Sequence, residues 1–120
     1  MTTPRQSPAP DPAAVLGKAT LRAAARMGLS RDELGRIIGR DRSSISRSGI
    51  DPATKSGELA LLLVRCYRSL AVLVDDNAHQ IRQWLETGNR HTGGVPREQI
   101  LDVQGLVSVT AYLDAIRGKL

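Results

Sequence analysis

The sequence predicts an all-α fold, with an N-terminal helix-turn-helix domain followed by a small C-terminal helical domain. Three observations carry this. Apolar residues recur at three- and four-residue spacing along most of the chain. Helix-starting Asp, Ser and Pro and helix-stopping Gly punctuate it at short intervals. No segment alternates as a half-buried strand would.

The first ten residues carry three of the six prolines and are expected to form a disordered arm. Asp11 can cap a helix whose first position is Pro12, and Gly28 stops it after Met27. Ser30 and Glu33 form a capping-box pattern that opens a short helix to Ile38, ended by Gly39. Asp41 caps a third helix from Arg42 to about Ser48, stopped by Gly49, and 50–56 reads as a turn and linker. A strong helix is expected over 58–74, with Leu59, Leu62, Leu63, Cys66, Leu70, Leu73 and Val74 on its apolar face. Leu61, Val64, Ala71 and Val72 make its other side apolar as well, which suits a core hub or a homodimer surface. Asp75 and Asp76 are expected to cap a fifth helix through Leu85, a loop follows from Gly88 to Gly94, and Pro96 starts a brief helix to Leu101. The last helix shows Leu106, Val109, Leu113 and Ile116 on one face and ends at Gly118. The division expected is 1–10 arm, 11–56 helix-turn-helix domain and 57–120 second helical domain.

Charge separates the two halves. Residues 1–56 hold ten Lys or Arg against five Asp or Glu, and residues 57–120 hold seven of each, so the net charge of +5 lies in the first half. A localised cationic excess fits a phosphate-binding surface, or simply a solubilising one. The sharpest pattern is 29–47. Leu34, Ile37 or Ile38, and Ile45 are spaced as the core of two crossing helices, Gly39 allows the turn between them, and Gly35 is expected where the helices approach closely. The second of these helices exposes Arg42, Ser43, Ser44 and Arg47, with Arg40 just before it. These are the candidates for reading base edges of double-stranded operator DNA. Arg31 and Arg36, on the preceding helix, suit phosphate contacts. The pairing of operators with two-fold symmetry adds to the expectation of a homodimer.

The stretch 29–47 resembles the Xre-type helix-turn-helix of repressors and antitoxins, with Gly35 where alanine is common and a stop at Ser48 and Gly49 where many members continue. From Gln83 onward the order of Trp84, Leu85, Asn89, Gly94, Pro96, Leu101, Gly105, Leu106, Val109, Tyr112, Leu113 and Gly118 resembles the toxin-binding domain of the Xre/MbcA/ParS antitoxin family. The loop between Asn89 and Pro96 is one residue shorter than is usual there, and Thr92 stands where an apolar residue is common. The resemblance implies an antitoxin whose partner is a RES-domain toxin that consumes NAD, and which represses its own operon. It implies toxin-contacting residues among Trp84, Asn89, Gly94, Pro96, Leu106, Val109 and Leu113. The tail Arg117, Lys119 and Leu120 could enter a pocket for an anionic dinucleotide, or be a helix end with dipole-favoured cations. A stand-alone transcriptional regulator whose second half only dimerises is the alternative.

Other classes find little support. His79 and His91 have no ligand-spaced partners, so no metal site or cofactor is expected. Cys66 is the single cysteine and reads as a small buried hydrophobe. No nucleophile, base and orienting group can be assembled, so neither catalytic residues nor a small-molecule substrate is expected. No run reaches the roughly 20 apolar residues of a membrane span. The opening residues lack a secretory apolar segment, and a cytoplasmic protein is expected.

Overall fold

The structure, a computed structural model, describes residues 9–120, and most of the expected arm lies outside the described residues. Seven helices stand among them: α1 (Pro12–Met27), α2 (Arg31–Ile38), α3 (Arg42–Ser48), α4 (Lys55–Leu73), α5 (Ala78–Glu86), α6 (Pro96–Gln99) and α7 (Val103–Arg117). The described residues contain no strand, only an isolated bridge between Asn89 and Gly94. No helix among them is long and apolar enough to cross a membrane.

The first three helices begin and end where their punctuation dictates. Asp11 caps α1 through the Ala13 N–H at 3.1 Å. In the capping box of α2 the Glu33 N–H donates to Ser30 Oγ at 3.1 Å, and the Ser30 N–H donates to Glu33 Oε1 at 2.8 Å. Asp41 caps α3 through the Ser44 N–H at 2.8 Å. Gly28 and Gly39 close α1 and α2 with φ of 69° and 78°, the left-handed region where a Cβ is costly.

The helix α4 starts earlier than expected, because Thr54 caps it by accepting from the Gly57 N–H at 3.0 Å. Its buried face is Ala60, Leu63, Val64, Cys66, Tyr67 and Leu70, while Leu59 and Leu62 are only partly buried. The stripe is therefore displaced from the one expected, because α4 packs against α1 on one side and α7 on the other. Asp75 and Asp76 do not cap α5. Both are left-handed, with φ of 54° and 52°, and turn the chain, so the cap falls to Asn77, which accepts from the Gln80 N–H at 3.0 Å. Asp and Asn tolerate that conformation better than other side chains.

One core runs through both halves, from Met27, Ile38, Ile45 and Ile50 to Leu63, Leu70, Ile81, Leu85, Ile100 and Leu113. Cys66 lies in it, and burial pushes its thiol up to about 11. Polar clamps reinforce the junction. Arg97 donates to both Glu33 carboxylate oxygens at 2.9 and 2.7 Å, to Glu86 at 2.9 Å and to the Gly28 carbonyl at 2.7 Å. Arg82 donates to the Ala25 carbonyl at 2.9 Å. Arg26 pairs with Asp76 at 3.1 Å, and Asp76 also accepts from the Tyr67 hydroxyl at 2.8 Å. Arg82 and Arg97 thus donate to carbonyls at the C-terminal end of α1, where helix carbonyls run short of intrahelical donors.

Candidate functional site

The helix α3 is a short rod fixed by a single apolar anchor, Ile45, at 1% exposure. Leu34, Ile37 and Ile38 of α2 and Leu16 of α1 are buried with it in the same core. Anchoring one face leaves the other to solvent, and Arg42, Ser43, Ser46 and Arg47 are exposed there. Arg31 and Arg36 are exposed on α2. Among the described residues none of Arg31, Arg36, Arg42 and Arg47 takes part in an ion pair. No described carboxylate forms an ion pair with them, which leaves their donors available to a phosphate or a base edge.

An open groove between α2 and α3 is lined by Arg31, Arg36, Arg40, Arg42 and Ser43, with Asp32 and Asp41 also on it. Gly35 lines this groove too, and a Cβ there would meet nothing within 4 Å. The expected close helix approach at Gly35 is therefore absent. The tight contact lies elsewhere in the motif. A Cβ on Gly17 would stand 2.9 Å from Gly49 Cα, and one on Gly49 would overlap the Ala13 carbonyl. The backbones of α1 and the end of α3 thus touch directly, and the Ile50 N–H donates to Ala13 O at 2.9 Å.

Two of the expected DNA-reading residues are engaged with each other within the motif. Arg40 donates to the Gly49 carbonyl at 2.7 Å and to the Ser44 hydroxyl. Its guanidinium folds along α3 to meet the carbonyl end of the helix, where a cation is favoured, and this occupies Ser44 as well. Ser46 and Lys18 were not foreseen. Ser46 lines a shallow depression with Arg31, Arg42, Ser43 and Arg47, and Lys18 of α1 lines another with Ser46 and Arg47. Ser46 follows Arg42 by four positions, so helical spacing alone signals it. A lone lysine on α1 carries no such signal.

In the second half the expected contact residues divide. Leu106, Val109 and Leu113 are at most 1% exposed, and Pro96 is buried as well. Their spacing marks the core face of α7 against α4, so in this structure they build the module and offer no surface. Asn89 shapes the loop before α6: its side chain accepts from the His91 N–H at 2.8 Å and the Thr92 N–H at 3.2 Å. The Asn89 N–H donates to Gly94 O at 2.8 Å. Trp84 is half-buried and stacks on Tyr112. Arg117, Lys119 and Leu120 are exposed, and the tail continues in turns, Lys119 N–H donating to Ile116 O at 3.0 Å. Also exposed in this half are Val103 and Val107 on α7 and Leu61 on α4, each about half accessible. No group of three or more His, Cys, Asp or Glu that could hold a metal ion stands among the described residues.

A helix-turn-helix with unpaired arginines on its second helix, sharing a core with a second helical module, has the architecture of a DNA-binding protein that carries a further binding module. The antitoxin Xre-like helix-turn-helix domain matches residues 8–65. The antitoxin Xre/MbcA/ParS C-terminal toxin-binding domain matches residues 69–119. The chain belongs to the Xre/MbcA/ParS-type antitoxin family, as an antitoxin with a DNA-binding head and a toxin-binding head. No curated protein matches it.

Proposed function

We propose that this antitoxin neutralises a RES-domain toxin that consumes NAD, and that it represses its own operon as a homodimer. It acts by binding rather than by catalysis. The observation that carries the reading is the cluster of unpaired Arg31, Arg36, Arg42 and Arg47 on a chain whose other half matches a toxin-binding domain. A chain that holds both operator and toxin can tie expression of the pair to its own abundance. The dimer is supported by the half-exposed Leu61, Val103 and Val107. Two linked helix-turn-helix units also match the two half-sites that such motifs bind.

The test is NAD loss. A RES-domain toxin, taken from the reading frame adjoining this chain's gene where that frame encodes one, is incubated with NAD, alone and with the full-length chain at equal concentration. The reading predicts that NAD loss stops and that the two proteins co-elute. Undiminished NAD loss with no complex contradicts it, and operator binding retained in that case favours a stand-alone regulator.

A further inference from the structure

The chain has no Phe, one Trp and two Tyr. Tyr67 belongs to the core, at 8% exposure. The other two aromatic side chains meet at the surface of the second module. Trp84 of α5 and Tyr112 of α7 stack with ring centroids 6.4 Å apart and planes 11° from parallel. The ring of His91, from the loop between α5 and α6, stacks on Tyr112 at 5.6 Å and 13°. Three near-parallel rings thus come from three separate elements. Trp84 and Tyr112 are half-buried, and His91 is exposed.

The loop backbone that carries the outermost ring is tied down. Asn89 Oδ1 accepts the His91 and Thr92 amides, and the Gln99 side chain donates to the Thr92 carbonyl at 2.6 Å. Rigid aromatic side chains with few rotatable bonds are the usual anchors of protein interfaces, because little entropy is lost when they bind. All three rings lie within the 69–119 match to a toxin-binding domain. Arg90, exposed beside His91, adds a cation to the rim.

We propose that the Trp84, Tyr112 and His91 stack is the anchor on which the toxin docks. The outer face of His91 takes a planar side chain of the toxin, aromatic or arginine, and Arg90 meets a carboxylate at its edge. This rests on the toxin-binding reading above. It moves the binding energy away from the buried Leu106, Val109 and Leu113 and onto rings that solvent can reach.

The test titrates full-length His91→Ala, Tyr112→Leu and His91→Phe against the RES-domain toxin by calorimetry. His91→Ala and Tyr112→Leu are expected to weaken binding by about tenfold or more. His91→Phe keeps a ring and is expected to stay within about threefold of the unsubstituted chain. Because His91 is exposed, its loss is expected to leave the melting temperature and operator binding unchanged. Equal toxin affinity of the unsubstituted chain, His91→Ala and Tyr112→Leu overturns the proposal and leaves the antitoxin reading standing. So does a change in dimer mass without a change in toxin affinity, which would assign the stack to a second copy. No binding by the unsubstituted chain overturns both readings.

Discussion

A glycine can be required or merely tolerated, and α7 and α2 hold one of each. A Cβ on Gly105 would overlap the Gln99 carbonyl at the α6–α7 corner, whereas one on Gly35 would meet nothing within 4 Å. Replacing glycine by alanine inside a helix gains up to about 1 kcal/mol in propensity. At Gly35 nothing opposes that gain, so Gly35→Ala is expected to stabilise by about 0.5–1 kcal/mol. At Gly105 a backbone oxygen must move, and overpacking of this kind costs about 1–3 kcal/mol, so Gly105→Ala is expected to destabilise. Urea unfolding of the two variants checks the pair, and the reverse order would refute the packing described. Gly35 also shows where sequence reasoning failed at this scale. A helix-turn-helix with small residues has several places for a close approach, and only the packing of α1 on Gly49 selects among them.

At the scale of elements, the junction between the halves depends on Glu33. Its carboxylate completes the capping box of α2 and receives two hydrogen bonds from Arg97 of α6. The Arg97 guanidinium, more than the Ser30 contacts, brings its pKa down to about 2 from the ordinary 4.5. The folded state thus holds the carboxylate ionised where the unfolded chain would protonate it. The resulting stability is complete above about pH 4.5 and is lost as pH falls toward 2. Glu33→Gln is expected to destabilise by on the order of 2 kcal/mol at neutral pH. That difference should shrink progressively through this window. A constant difference between the two proteins from neutral pH to pH 2 would rule out the Arg97 pairing as the cause. Elements of the helix-turn-helix were legible to the residue, because Asp11, Ser30, Asp41, Gly28, Gly39 and Gly49 are local signals. The start of α4 was not, because Thr54 lies in a stretch that also reads as a linker. The cap of α5 was missed because Asp75 and Asp76 are good capping residues that here take left-handed backbone instead. The Arg97 clamp joins residues 64 positions apart and had no local signal at all.

Over the whole molecule, the net positive charge lies in the first half and the toxin-binding match in the second. The fold class, the cationic second helix and the family were legible from periodicity, spacing and resemblance. The apolar matches on α7 were legible as a stripe, but periodicity alone does not distinguish a stripe that faces a partner from one that faces the core. Burial decides that Leu106, Val109 and Leu113 face the core. The stack of Trp84, Tyr112 and His91 could not be seen in one dimension, since it assembles from α5, a loop and α7. Operator affinity is expected to reside in the exposed arginines of α3 and toxin affinity in the second module. The most direct test is the Arg42→Ala, Arg47→Ala double variant, titrated in parallel against a fragment of the chain's own promoter and against the proposed RES-domain toxin. A bidentate contact from arginine to guanine is worth about 1–3 kcal/mol, so the account predicts promoter affinity reduced by about tenfold or more, with toxin affinity unchanged. Unreduced promoter affinity in the folded variant, or loss of promoter and toxin binding together, would contradict it.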